Sequence, residues 1–485
     1  MRARPGPGVF PAVDRVIEEM ERAGAGHQLH IGAVLEMDGP RPSLDEVRAH
    51  VRERLGTLWP VAGTADGEVA GPFAGAAADL SSRVFELVVP REGGAARPGG
   101  ARGGKAASGT AGPDGVGAEA EGAYDALLNA RVPGEPGRSW GVWLVHGHAP
   151  GRYLLCYRGH HALHDGNGVV RLMRLLFGAG GGRAAGVPAR TVAATGRGTG
   201  TGTGPGAGGV RPRAAARLAG QVRSAAASVP LLLPAPRRPL LDGERAGRLL
   251  LSRAAVPLDR LRATSRLLEC SVLDLHLAAL SHAAQELDTT GWTEERRRSA
   301  RGIGLPIALG PTEPGPYAGN RFSVALLKVP WREDDLVRRA RRISRQTARY
   351  RDPAVRWALA ASLDRFGPAG TRALSERIFA RCGMQTTVLS SVADLGFGGR
   401  TALQVTGLNC LPAHFPYQSA LTLGRELAVC AFTADAAVPG ARSVARHWRA
   451  GLDVLAAAAG LGVVSAARLD SGSGRRPGGR SGSAR

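Results

Sequence analysis

Lysine is almost missing from this 485-residue chain, which holds only Lys105 and Lys328. The net charge of +22 therefore comes from arginine, and much of it lies in Gly/Arg stretches around 181–217 and in the tail 466–485. Charge spread in this way reflects biased composition, whereas a nucleic-acid surface would gather its basic residues on one face or helix. No nucleic-acid partner is expected.

Cysteine is scarce as well. Cys156, Cys270, Cys382, Cys410 and Cys430 are odd in number, widely spaced and contain no Cys-x-x-Cys pair. That excludes a disulfide framework as the basis of the fold and reads as buried thiols in a reducing cytosol. Long hydrophobic runs are also absent: no stretch reaches about 18 uncharged apolar residues, and the N-terminal segment lacks the apolar run of a signal peptide. The expectation is a cytoplasmic protein, at most peripheral to a membrane. The arginine-rich segment 333–350 could rest on anionic lipid or could equally be a solvated face.

What the chain does have is 44% apolar residues over a length too great for one ordinary core, so two domains are expected. Residues 1–178 form the first, with a disordered insertion at about 91–120, where a Gly/Ala/Arg-rich run without periodicity cannot bury enough apolar surface to offset its ordering entropy. Residues 179–244 read as a Gly/Arg-rich linker and crossover, 245–465 as the second domain and 466–485 as a disordered tail. Both halves mix helix and strand.

In the first half, 29–37 reads as a strand, and Ser43-Leu44-Asp45-Glu46 has the form of a capping box that opens a helix burying Leu44, Val47, Val51 and Leu55. Residues 140–146 and 152–158 read as a strand pair joined across Gly147, Pro150 and Gly151. In the second half, helices are expected near 257–268, 271–287, 333–350 and 370–382, and strands near 302–309, 320–329, 386–392, 401–408 and 425–433.

The segment that carries chemistry follows the strand pair. Residues 157–177 read YRGHHALHDGNGVVRLMRLLF, so His160, His161, Asp165 and Gly166 form His-His-x-x-x-Asp-Gly ahead of a helix with Val169, Leu172, Met173, Leu176 and Phe177 at helical spacing. A histidine held in such a strand-to-helix turn can offer a ring nitrogen to a substrate proton at neutral pH. Asp165 could bind His161 as in a triad, pair with an arginine, or cap the helix. Gly166, lacking a Cβ, permits a tight turn and lets a bulky substrate pass close to the histidine. A metal site built from His146, His148, His160, His161, His164 and Asp165 matches no established zinc spacing, and no metal is expected.

The HHALHDG segment resembles that of the superfamily containing chloramphenicol acetyltransferase, peptide-synthetase condensation domains and bacterial wax ester synthase/diacylglycerol acyltransferases. The last branch is the nearest in likeness. The opening HIGAVLEMDGP resembles its first strand, Gly319-Asn320-Arg321 its Gly-Asn-Arg segment, and SVLDLHLAAL at 271–280 its Asn-Asp helix, with Asp274 matching and Leu273 replacing the asparagine. Ser139-Trp140 stands where that branch has Pro-Leu-Trp, and SSVADL at 390–395 where it has Ser-Asn-Val-Pro-Gly-Pro.

The resemblance implies a mixed α/β fold of two chloramphenicol-acetyltransferase-like lobes, each a β-sheet packed with helices, around a central tunnel. It implies an acyl-CoA-dependent O-acyltransferase with His161 as general base, assisted by His160, Asp165 and Gly166, with Asp165 structural. Trp140, Asp274, Asn320, Ser390 and Ser391 are the candidate substrate-binding residues. No cofactor is implied, only an acyl-CoA or acyl-carrier-protein thioester as co-substrate with a hydroxyl acceptor. Two alternatives stand beside it: a condensation-like enzyme of natural-product biosynthesis that uses a carrier-protein donor, and a non-catalytic binding or scaffold member.

Overall fold

The computed structural model describes residues 11–23, 29–56, 80–90, 118–134, 139–179, 246–287, 302–309, 320, 322–379, 381–390, 392–411, 415 and 417–462. The expected linker after its first residue, the tail, Ser391, and most of the 91–120 insertion lie outside these residues. The insertion's last three positions belong to a helix.

The first half runs α1 (Pro11–Ala23), β1 (His30–Asp38), α2 (Leu44–Gly56), β2 (Val84–Val88), α3 (Ala118–Asn129), β3 (Trp140–His146), β4 (Arg152–His160) and α4 (Gly166–Phe177). The capping box at α2 forms as expected: the Ser43 main-chain N–H donates to Glu46 Oε2 at 2.7 Å, and Glu46 N–H donates to Ser43 Oγ at 3.2 Å. Val47, Val51 and Leu55 are buried and Leu44 half-buried. β3 and β4 form the expected antiparallel hairpin, with Trp140 opposite Gly159 and His146 opposite Tyr153.

The second half begins with β5 (Leu249–Pro257), α5 (Leu258–Leu267), α6 (Val272–Leu287), β6 (Gly302–Ala308), β7 (Phe322–Leu327) and α7 (Leu336–Ala348). It continues with α8 (Pro353–Phe379), β8 (Cys382–Leu389), a two-stranded ribbon of β9 (Gly396–Phe397) and β10 (Arg400–Thr401), then β11 (Gln404–Leu408), β12 (Tyr417–Leu423), β13 (Leu427–Asp435) and α9 (Val444–Ala458). The helix expected at 370–382 is the last part of α8, which starts at Pro353 and continues through Gly367-Pro368.

Two sheets result, ordered β11-β1-β4-β3-β2 and β5-β13-β12-β8-β6-β7. A division of the chain at 179–244 does not describe them fully. β11, from the second half, pairs antiparallel with β1 from Gly32↔Leu408 to Glu36↔Gln404, so one strand of the first sheet is lent by the second half. The exchange is tied by polar groups. Buried Glu36 accepts from Arg253 of β5 at 3.0 Å and from Gln404 of β11. Asp125 of α3 accepts from the Leu251 main-chain N–H at 2.8 Å, covering the edge of β5.

Each sheet supports its own core. The largest core packs α5, α6, α7 and α9 around Trp448, Phe432 and Leu421, a second places Leu35, Met37, Trp140 and Phe177 between the first sheet and its helices, and a third, with Val34, Tyr124, Trp143, Leu251 and Phe415, draws on both sheets and α3. Among the described residues no single helix is long and apolar enough to cross a membrane.

Candidate active site

β4 delivers the histidine pair. Its last residue, His160, is fully buried: Nδ1 accepts from the Ala162 main-chain N–H at 3.1 Å and Nε2 meets the Glu21 carboxylate of α1. Because Nδ1 is an acceptor, the proton sits on Nε2 and points at Glu21. His30 stands edge-on to this ring at 5.7 Å and is itself bonded to Ser139 Oγ at 2.8 Å. Both nitrogens of His160 are thus occupied by the protein. It braces the turn and does not face a substrate, contrary to the catalytic share expected for it.

The chain then turns through His161–Leu163. His161 N–H donates to Leu29 O at 2.8 Å, its carbonyl accepts from Asn320 Nδ2 at 2.7 Å, and its ring lies against Phe322 with centroids 5.6 Å apart and planes 29° from parallel. The ring is half-buried. Among the described residues Nδ1 is enclosed and makes no hydrogen bond of ordinary geometry. Burial pushes the imidazole pKa below its usual 6.5, opposed by nearby main-chain groups of His161 and His164 and by the charge of Asp165. The neutral form able to accept a proton therefore dominates at neutral pH.

Asp165 caps α4, its Oδ1 accepting from the Gly168 main-chain N–H at 3.0 Å. Capping is one of the three roles open in the sequence, and the Asp165 charge also pulls on His161. His164 is buried in space cleared by two glycines: a Cβ on Gly168 would stand 2.4 Å from His164 Cβ, and one on Gly159 would stand 2.8 Å from its Cε1. Burial, with His161 and His160 nearby, lowers the His164 pKa to about 3, so it stays neutral.

Gly166 has an ordinary backbone conformation, so the turn does not require glycine there. A Cβ would instead stand 3.3 Å from Leu389 Cδ2, at the end of β8. The demand on position 166 is space between the two lobes. Ser390, the next residue after Leu389, is half-buried at the same junction.

Two other expected substrate residues sit elsewhere. Asp274 has no exposed surface. Its carboxylate accepts from Ser271 N–H at 2.9 Å and Thr347 Oγ1 at 2.6 Å and pairs with Arg351 at 3.2 Å, tying the start of α6 to the end of α7. Trp140 is buried in the core of the first sheet with Arg83 over its ring at 5.5 Å. Both are structural.

The helix missed in the sequence, α1, proves central. Glu21 reaches His160, and Asp14, two turns earlier, accepts from Asn320 Nδ2 at 2.7 Å. Burial raises the Asp14 pKa to about 7. The sequence signals were apolar Val13, Val16, Ile17 and Met20 at helical spacing, with acidic Asp14, Glu18 and Glu21 recurring beside them. Among the described residues no group of three or more His, Cys, Asp or Glu side chains is placed to hold a metal ion.

Residues 138–291 match the wax ester synthase/diacylglycerol acyltransferase catalytic domain. The fold is similar to that of the wax ester synthase/diacylglycerol acyltransferase of Marinobacter aquaeolei VT8, at 15% identity over 93% of this chain and 100% of that one, with a TM-score of 0.57. It is similar also to the first condensation domain of the CDA synthetase (16% identity, 94% and 97% covered, TM-score 0.52). A third likeness is to the starter condensation domain of rhizomide synthetase, solved with C8-CoA and Leu-SNAC (14%, 95% and 96%, 0.51). No curated protein sequence matches significantly. The segment with the histidine pair lies within the residues that match the family model, and the chain has the two-lobed fold of these structures. Together they support an acyltransferase of this superfamily.

Proposed function

We propose that the protein transfers an acyl group from an acyl-CoA thioester to a hydroxyl acceptor, with His161 as general base. The observation that carries this reading is the half-buried His161 with Nδ1 enclosed, held beside Phe322 and Asn320 of the second half within the segment that matches the wax ester synthase model; its other nitrogen, Nε2, is the one we assign to the reactant.

Nε2 takes the proton of the acceptor hydroxyl as its oxygen attacks the thioester carbonyl. The tetrahedral oxyanion collapses, the C–S bond breaks, and the imidazolium returns its proton to the leaving thiolate, giving an ester and free CoA. The nearby Asp165 charge favours the transient imidazolium. Ser390, half-buried beside Leu389 and Gly166, is the polar side chain we assign to the oxyanion side of the junction.

The test is product identification by mass spectrometry after incubating the full chain with octanoyl- or palmitoyl-CoA and, in turn, hexadecanol, dioleoylglycerol and an amine. Ester from either hydroxyl acceptor supports the reading. Amide alone would move the protein to the condensation-like alternative, and no product from any pair would contradict the reading.

A further inference from the structure

We propose that Asn320 is a positioning residue for His161: its amide, oriented by Asp14 of α1, clamps the His161 main-chain carbonyl from the second half of the chain while Phe322 packs on the imidazole face. This rests on the reading of His161 as the base.

The geometry assigns each atom a task. Asn320 is fully buried, and its Nδ2 donates both protons, one to Asp14 Oδ1 and one to His161 O, each at 2.7 Å. Its Oδ1 is enclosed without a partner among the described residues, so the side chain is present for its two donors. Two acceptors facing one nitrogen also fix which way the amide points. The His161 turn is otherwise anchored at its N–H, by Leu29. Asn320 supplies the second anchor, and Phe322, two residues on, limits rotation of the ring. One short segment of the second half thus holds both the backbone and the side chain of a residue delivered by the first.

A residue that merely attached α1 to the second half would affect stability alone. A clamp on His161 would also set where Nε2 points, and a misplacement of about 1 Å can cost on the order of 100-fold in rate. The decisive variant is the double substitution Asp14→Leu/Asn320→Leu, read alongside Asn320→Ala. Replacing Asp14 and Asn320 together removes the buried acid–amide pair as a unit, and the one group left without its partner is the His161 carbonyl, so the comparison is made on the folded fraction of each variant.

The full-length variants are assayed with octanoyl-CoA and hexadecanol, and the pH dependence of His161 carbethoxylation by diethyl pyrocarbonate is read by peptide mass spectrometry. The expected result is a folded double variant with kcat reduced by about 100-fold, KM nearly unchanged, and the His161 titration moved up toward 6.5 as the ring regains solvent. A folded double variant with wild-type kcat and an unmoved titration overturns the proposal. If wild type transfers no acyl group, the functional reading fails, and the carbethoxylation profiles still decide the clamp by the same criterion.

Discussion

His160 Nε2 points into the carboxylate of Glu21 on α1, so the first histidine of the pair is bound to the protein while the second is left to react. The two residues of one motif therefore have separable effects. His160→Ala removes a buried, charge-assisted contact and is expected to cost about 2–3 kcal/mol of stability, with residual activity in the folded fraction. His161→Ala is expected to unfold within about 1 kcal/mol of wild type, as a half-buried site whose Nδ1 has no ordinary hydrogen bond among the described residues should, and to lose turnover. Thermal unfolding set beside rate separates them.

The lowered pKa of His161 gives a pH profile. The base works in its neutral form, so kcat/KM rises with pH and levels off, with a midpoint below the ordinary histidine value of 6.5. A midpoint at or above 6.5 would place the ring in open solvent.

Asp14 gives an opposite dependence in stability. Its folded pKa, about 7, lies above the usual 3.8, so the native state holds the proton more tightly than the unfolded chain. Stability is then lost as pH rises from about 4 to 7. Asp14→Asn keeps the acceptor for Asn320 and has nothing to ionise, so its unfolding free energy should gain on that of wild type across this range in urea titrations. Parallel curves would contradict the assigned burial.

Gly166 and Leu389 set the clearance between the lobes. Gly166→Val should lower kcat/KM more than it lowers the melting temperature, and adding Leu389→Ala should recover part of the lost rate. Failure of the second change to recover any rate would remove Leu389 from the account.

Asp274 is a test of what a motif match alone is worth. Its carboxylate is consumed by Ser271, Thr347 and Arg351, so Asp274→Ala should cost about 2–4 kcal/mol and leave the turnover of the folded enzyme near wild type. A selective rise in KM would return it to the binding residues.

Local signals were the legible ones. The capping box at Ser43, the β3–β4 hairpin and the α4 stripe behind HHALHDG each lie within a few residues of the contacts that stabilise them, and each forms as read. What could not be read depends on distant partners. The acidic residues of α1 acquire meaning only when the fold brings His160 and Asn320 to them. β11 joins the first sheet though 368 residues separate Glu36 from the Gln404 side chain that bonds it. The family likeness drew attention to Asn320 and Asp274 alike, and only the packing distinguishes the residue that reaches His161 from the one that ties two helix ends.

Acceptor-dependent thiol release from palmitoyl-CoA, compared between wild type and His161→Ala at equal folded concentration, tests His161 as the general base. Release should rise with hexadecanol or dioleoylglycerol in wild type and fall to the uncatalysed level in the variant. Equal release from both proteins would contradict that role.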